Sequence, residues 1–233
     1  TLMVPEKEED KEQETHRLKY IEIGNITGDM ALNSAKLEVV EFGNLCRKDL
    51  GFIRSAVNAK TREEFNEADK MLIHYENLTD NVEREIATFL REVSKKEFSP
   101  GGMARVRELY RIIGEMESLG DSGETIGKIL TGVWEHACHF TDKMLAQLNT
   151  MLDLLDSAYD AMDYNLSTPI IDLQDIQNAE LAEKAVNDYR DTLRSEHLSN
   201  IEKSSYPYET GSFYMDLINC LEKMGDFIIN ISQ

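Results

Sequence analysis

The sequence predicts an all-α protein built as two tandem up-down-up three-helix bundles, and three observations predict it. Apolar residues recur at steps of three to five over long stretches, the spacing of an amphipathic helix. Only 4 prolines and 13 glycines punctuate 233 residues, which favours few, long elements. A six-residue pattern, Met116-Glu117-Ser118-Leu119-Gly120-Asp121, returns as Leu221-Glu222-Lys223-Met224-Gly225-Asp226, 105 positions later, about the length of one three-helix unit.

Residues 1–27 are acidic and end in a short apolar stretch at Leu18, Tyr20 and Ile21, the pattern of a linker that docks at its end. From Gly28 to about Ala59 the apolar residues Leu37, Val40, Leu45, Leu50, Ile53 and Val57 predict a first helix. Thr61-Arg62-Glu63-Glu64 has the form of a capping box, with Thr61 as N-cap and Glu64 reaching back to it. A second helix then runs to about Lys96 on Phe65, Ala68, Leu72, Tyr75, Val82, Ile86 and Phe89. Ser99-Pro100 reads as the next start, Ser as cap and Pro at the first helical position, for a third helix over Gly102 to Trp134.

The plan then repeats. Phe140, Met144, Leu148, Leu152 and Leu155 mark a fourth helix that ends near Ser167-Thr168-Pro169. A fifth covers about Leu173 to Glu202, Tyr206-Pro207 breaks the chain, and a sixth runs from Gly211 to the C-terminus. Short connections make neighbours antiparallel, which gives a first bundle over 28–134 and a second over 135–233.

Charge narrows the function. With 44 acidic and 25 basic side chains the net charge is −19, and no basic run offsets it locally. Phosphate backbones and anionic lipid surfaces are repelled, so nucleic acid is excluded as a partner. No apolar run approaches the ~20 residues of a membrane span. Cys46, Cys138 and Cys220 lie far apart, odd in number, as reduced thiols do. The chain begins at Thr1 with no signal peptide, and the missing initiator Met points to a piece cut from something longer.

Carboxylate pairs carry the remaining chemistry. Glu117 and Asp121, Glu222 and Asp226, and Glu76 and Asp80 are each four apart, so each pair projects from one helix face. The fifth helix offers Glu183 with Asn187, an amide in place of the second acid. Such pairs on facing helices can clamp a divalent cation, as in di-iron carboxylate bundles. About 8 acidic pairs at this spacing are expected by chance, so most are plain surface. These pairs differ because they recur in matching helices and the later two embrace Gly120 and Gly225. Glycine costs about 1 kcal/mol in a helix, a cost that close helix approach or room for an ion would justify. His136-Ala137-Cys138-His139 carries zinc-type ligands without the second cluster a tetrahedral site needs, and reads as packing or surface. His74 and His197 fall on polar faces and read as solvent-exposed.

The Glu-Ser-Leu-Gly-Asp core within 109–129, and Glu-Lys-Met-Gly-Asp within 217–231 with its tail Asn230-Ile231, resemble the Leu-Glu-Arg-Ile-Gly-Asp signature of the PhoU family. Glu76-Asn77-Leu78-Thr79-Asp80 is similar to that family's earlier acidic motif. Gly28-Asp29-Met30-Ala31-Leu32 and Leu193-Arg194-Ser195-Glu196-His197-Leu198 resemble the PhoU-like cytosolic tail of bacterial sodium/phosphate cotransporters. The resemblance implies two three-helix bundles and a non-enzymatic regulatory role in phosphate uptake. The partner would be a membrane transporter domain, its own or an associated one, with a homodimer as a further association. The location implied is the cytoplasmic face of the inner membrane. It also implies a divalent transition metal, iron, zinc or manganese, with ligands at Glu76, Asp80, Glu117, Asp121, Glu183, Glu222 and Asp226. The chain departs from the family at Asn187, where the second acid is missing, and at Ser118 and Lys223, where Arg is common. Two other classes stay open on the residues: a metal-dependent carboxylate-cluster enzyme and a metal-free structural adaptor.

Overall fold

A computed structural model describes residues 18–20, 27–168, 175–203 and 205–233 of the chain. Among them are six helices and no strand: α1 (Gly28–Val57), α2 (Arg62–Val93), α3 (Gly102–Glu135), α4 (Asp142–Ser167), α5 (Gln177–Glu202) and α6 (Tyr208–Ser232). The first three pack on one another as one bundle and the last three as a second.

Local signals explain most boundaries. Thr27, Thr61 and Thr141 hold extended backbone angles, and their hydroxyls accept from the N–H of Met30, Glu64 and Met144. Each removes one of the donors that a helix start leaves unpaired. The return arm of the box at Thr61 differs from expectation, since Glu64 accepts from the N–H of Lys60 at 2.7 Å, one residue further out. Helix α3 begins at the expected Gly102, but its cap differs. Its cap is Gly101 in the left-handed region, φ 86°, where a side chain would be strained. Ser99 is occupied elsewhere: its hydroxyl donates to Asp29 at 2.9 Å and its N–H to the same carboxylate at 3.2 Å. The α2–α3 turn is thereby tied to the first turn of α1. Helix α6 begins three residues before the predicted Gly211, because Pro207 already holds a pre-helical φ of −56°. Helix α5 starts at Gln177, whose N–H donates to Asp175 at 3.1 Å, and the start expected at Leu173 lies outside the described residues. Most of the 1–27 segment also lies outside them. At its described end Leu18 packs on the core, Lys19 pairs with Glu41 at 3.2 Å, and the Tyr20 N–H donates to Glu38.

The two bundles share one core. A single cluster of buried apolar residues runs from Ala31 to Ile231 through all six helices, joined where α1 meets α4 and α3 meets α6. Both junctions are antiparallel. Arg47 pairs with Asp160 at 2.6 Å and Asp163 at 3.0 Å, while Arg54 pairs with Asp153 and Asp156, both at 2.8 Å. These pairs are partly solvated, so they fix the register of α4 on α1 more than they add stability.

Gly120 and Gly225 serve close helix approach. A Cβ on Gly120 would lie 2.2 Å from the Thr79 hydroxyl oxygen and 3.1 Å from Thr79 Cβ. Thr79 is buried, and its hydroxyl donates to the Glu76 carbonyl at 2.8 Å, a bond it would give up by turning aside. At Gly225 the nearest atom is Val186 Cγ1 at 3.2 Å. Gly120→Ala should therefore destabilise by about 1–3 kcal/mol, and Gly225→Ala by much less, as helix propensity offsets the mild crowding. Paired denaturant titrations check this, and Thr79→Ala should rescue the first substitution. Equal effects at the two glycines would contradict it.

Candidate metal centre

Helices α2 and α3 bring their acidic faces together beside the Gly120–Thr79 contact. Carboxylate oxygens of Glu76, Asp80 and Asp121 lie within 4.8 Å of one another, the one such group of three or more His, Cys, Asp or Glu side chains among the described residues. Glu76 and Asp80 stand one turn apart on one face of α2, beside Thr79, and Asp121 follows Gly120 on α3. Close approach at the glycine therefore sets the distance between the two carboxylate rows.

The electrostatics are those of crowded acids. Burial raises the Glu76 carboxyl, and Asp80, Glu124 and Asp121 raise it further. Glu117 is raised by burial, then by Asp121, Asp80 and Glu83. Asp121 is raised by burial, then by Asp80 and Glu124. Arg84 stands 3.9 Å from Asp80, and Lys128 pairs with Glu124, so cations border the seam without filling it. A row of hard oxygen donors that repel one another suits a divalent cation, which takes carboxylate ligands and removes the repulsion. Asp121 is exposed and also lines an open groove of about 480 Å³ between α3 and α6, which leaves the cluster open to solvent.

Of the seven residues expected as ligands, the structure groups Glu76, Asp80 and Asp121 and sets Glu117 beside them in the same field. Glu183, Glu222 and Asp226 form no such group. Glu222 accepts from Arg190 Nη1 at 2.5 Å, and Glu183 accepts from the Asn187 amide at 3.3 Å. The seam also includes Glu83 and Glu124, which sequence spacing did not single out. Both continue the acidic faces by one more turn, at i+3 from Asp80 and Asp121.

His197 and His74 are less exposed than expected, while the 136–139 segment packs as expected. His197 is half-buried, stacks on Tyr206 and shares a 2.8 Å hydrogen bond with its hydroxyl through Nδ1. Burial lowers its pKa. His74 is half-buried, edge-on to Tyr75. His136 pairs with Glu209 and sets its ring against Phe213, so the 136–139 segment is a helix-end contact between α3 and α6. All three cysteines are free.

Tandem three-helix bundles with one carboxylate seam define a class, and solved structures identify the fold. The chain aligns with the phosphate transport system regulatory protein PhoU from Streptococcus pneumoniae at TM-score 0.67 and 17% identity, over 88% of this chain and 93% of that one. It aligns with PhoU from Pseudomonas aeruginosa at TM-score 0.67 and 15% identity, over 88% and 94%. The fold is that of the PhoU proteins. No protein-family model matches the sequence, and neither does any curated protein.

Proposed function

We propose that this chain is a non-enzymatic regulator of phosphate uptake that acts on a membrane transporter domain. The observation that carries the reading is the fold, shared with PhoU proteins over nearly their whole length. The resemblance of 28–32 and 193–198 to cotransporter tails supports the finer reading, in which the transporter is a sodium/phosphate cotransporter and the chain is its cytosolic part. No helix among the described residues is long and apolar enough to cross a membrane, so this reading places the spans in segments other than these helices.

Glu76, Asp80 and Asp121, with Glu117 beside them, would hold a divalent iron, zinc or manganese ion. The ion supplies positive charge that these carboxylates otherwise lack. In its presence the acidic faces of α2 and α3 stay apposed, and the surface of the first bundle keeps one shape. A regulator of this kind acts by binding one state of the transporter better than another.

The test is uptake of radiolabelled phosphate in cells that carry the transporter with and without this chain. Removal should alter uptake at high external phosphate, and the altered flux should depend on sodium. Uptake that is unchanged at low and high phosphate would end the regulatory reading. Altered uptake without sodium dependence would leave it standing and remove the cotransporter assignment.

A further inference from the structure

The two glycine contacts fix how the halves correspond. Gly120 faces Thr79 and Gly225 faces Val186, so Thr79 on α2 and Val186 on α5 occupy matching places. In that register Glu76 matches Glu183, Asp80 matches Asn187, and Glu83 matches Arg190. The match holds electrostatically as well. Glu83 is among the charges felt by Glu117 in the first bundle, and Arg190 is among those felt by Glu222 in the second.

Two changes therefore convert the second seam. The acid at Asp80's place is an amide, and the acid at Glu83's place is a guanidinium. Arg190 Nη1 donates to Glu222 Oε1 at 2.5 Å, and its Nε lies 2.9 Å from Asp191 Oδ1. Both partners of the first contact are well covered, with side chains 23% and 15% exposed. A guanidinium at that distance fills the carboxylate's donor-facing side and repels any metal ion brought to it. The donor set of the second bundle does not fit a divalent cation.

We propose that Arg190 is the built-in counter-ion of the second bundle, standing where the first bundle leaves room for a metal, so that cation binding acts on one half of the molecule only. The inference rests on the cation reading of the first bundle and adds an asymmetry that reading does not contain. The second bundle holds its α5–α6 apposition at any metal concentration, and only α2–α3 responds.

The probe is Mn²⁺, followed by equilibrium dialysis and thermal unfolding of the whole chain. Glu76→Gln with Asp121→Asn should weaken Mn²⁺ binding more than about tenfold, and Glu222→Gln should leave it unchanged. Asn187→Asp with Arg190→Glu gives the second bundle the residues of the first and should add a second equivalent that Glu222→Gln removes. Parent binding that Glu222→Gln weakens tenfold overturns the proposal, and so does a folded double variant without a second equivalent. A metal-free arm covers variants that fail to fold. In EDTA, Arg190→Gln should lower the midpoint by about 3–6 °C, and Arg190→Gln with Glu222→Gln should recover most of it. No loss on Arg190→Gln overturns the counter-ion role. If the parent binds no Mn²⁺ at all, the first-bundle cation reading falls, and the EDTA arm still decides whether Arg190 neutralises Glu222.

Discussion

Replacing Asp49 with Leu should raise the thermal midpoint by roughly 4–12 °C at pH 8, corresponding to about 2–3 kcal/mol. Asp49 is 1% exposed, in the C-terminal half of α1, and neither carboxyl oxygen has a hydrogen-bond partner. It lies flat against α3, so close that a Cβ on Gly123 would stand 2.1 Å from its Oδ2. Burial pushes its pKa well above the ordinary carboxylate value. Cys46 and Tyr159, its titratable neighbours, are themselves pushed up by burial. Leucine branches at the same carbon and replaces the two oxygens with methyl groups, so the transfer penalty disappears with little change of shape.

The pH dependence follows from the sign of that shift. The folded state binds the Asp49 proton more tightly than the unfolded chain, where an Asp titrates near ~3.9. The group's contribution is therefore fully present below that value and is lost as pH rises toward the folded pKa. Asp49→Leu should gain little at pH 4 and most at pH 8, which flattens the acid-to-neutral slope. Asp49→Asn keeps polar atoms without partners and should gain less. Calorimetric melts across pH 4–8 measure all three proteins. A loss of stability in Asp49→Leu at every pH would mean that the carboxyl is held by a partner.

Divalent metal should give the second large effect. At a hundredfold excess over Kd, an ion that binds only the folded form stabilises by about 2.7 kcal/mol, a midpoint shift of roughly 5–11 °C. Glu76, Glu117 and Asp121 are all raised, so without metal their seam favours folding at low pH and disfavours it as pH rises. The metal-induced shift should therefore be largest near pH 8 and shrink toward pH 5, where protons compete for the same oxygens. Asp121→Asn should leave the metal-free protein as stable or slightly more stable, because one repelling charge is gone, and should at least halve the metal shift. Melts with Mn²⁺, Zn²⁺ and Fe²⁺ against EDTA check both halves. Equal midpoints with every ion would make these residues surface acids.

Helix number and order were legible because they rest on local periodicity and on caps such as Thr61, whose chemistry lies within four residues. The repeat around Gly120 and Gly225 was legible as sequence, and it pointed to the right helices. The first residue of α3 was legible but its cap was not, because the Ser99 hydroxyl has two suitors and the choice of Asp29, 70 residues away, is tertiary. The place of Asp49 left a readable sign: with Cys46, Leu50 and Ile53 it completes a buried stripe at helical spacing. In a chain of 44 acids one more acid in a stripe draws no notice. Which of the seven acids come together was only partly readable. Spacing places carboxylates on a face, but Arg190 reaches Glu222 from another helix, and that neutralisation is set by packing.

One cation site, between α2 and α3, is expected. Anomalous difference density from crystals grown with Mn²⁺ tests it most directly. A peak should stand bounded by Glu76, Asp80 and Asp121, and none at Glu183, Glu222 or Asp226. A peak beside Glu222, or no peak at the Asp121 seam, would contradict it.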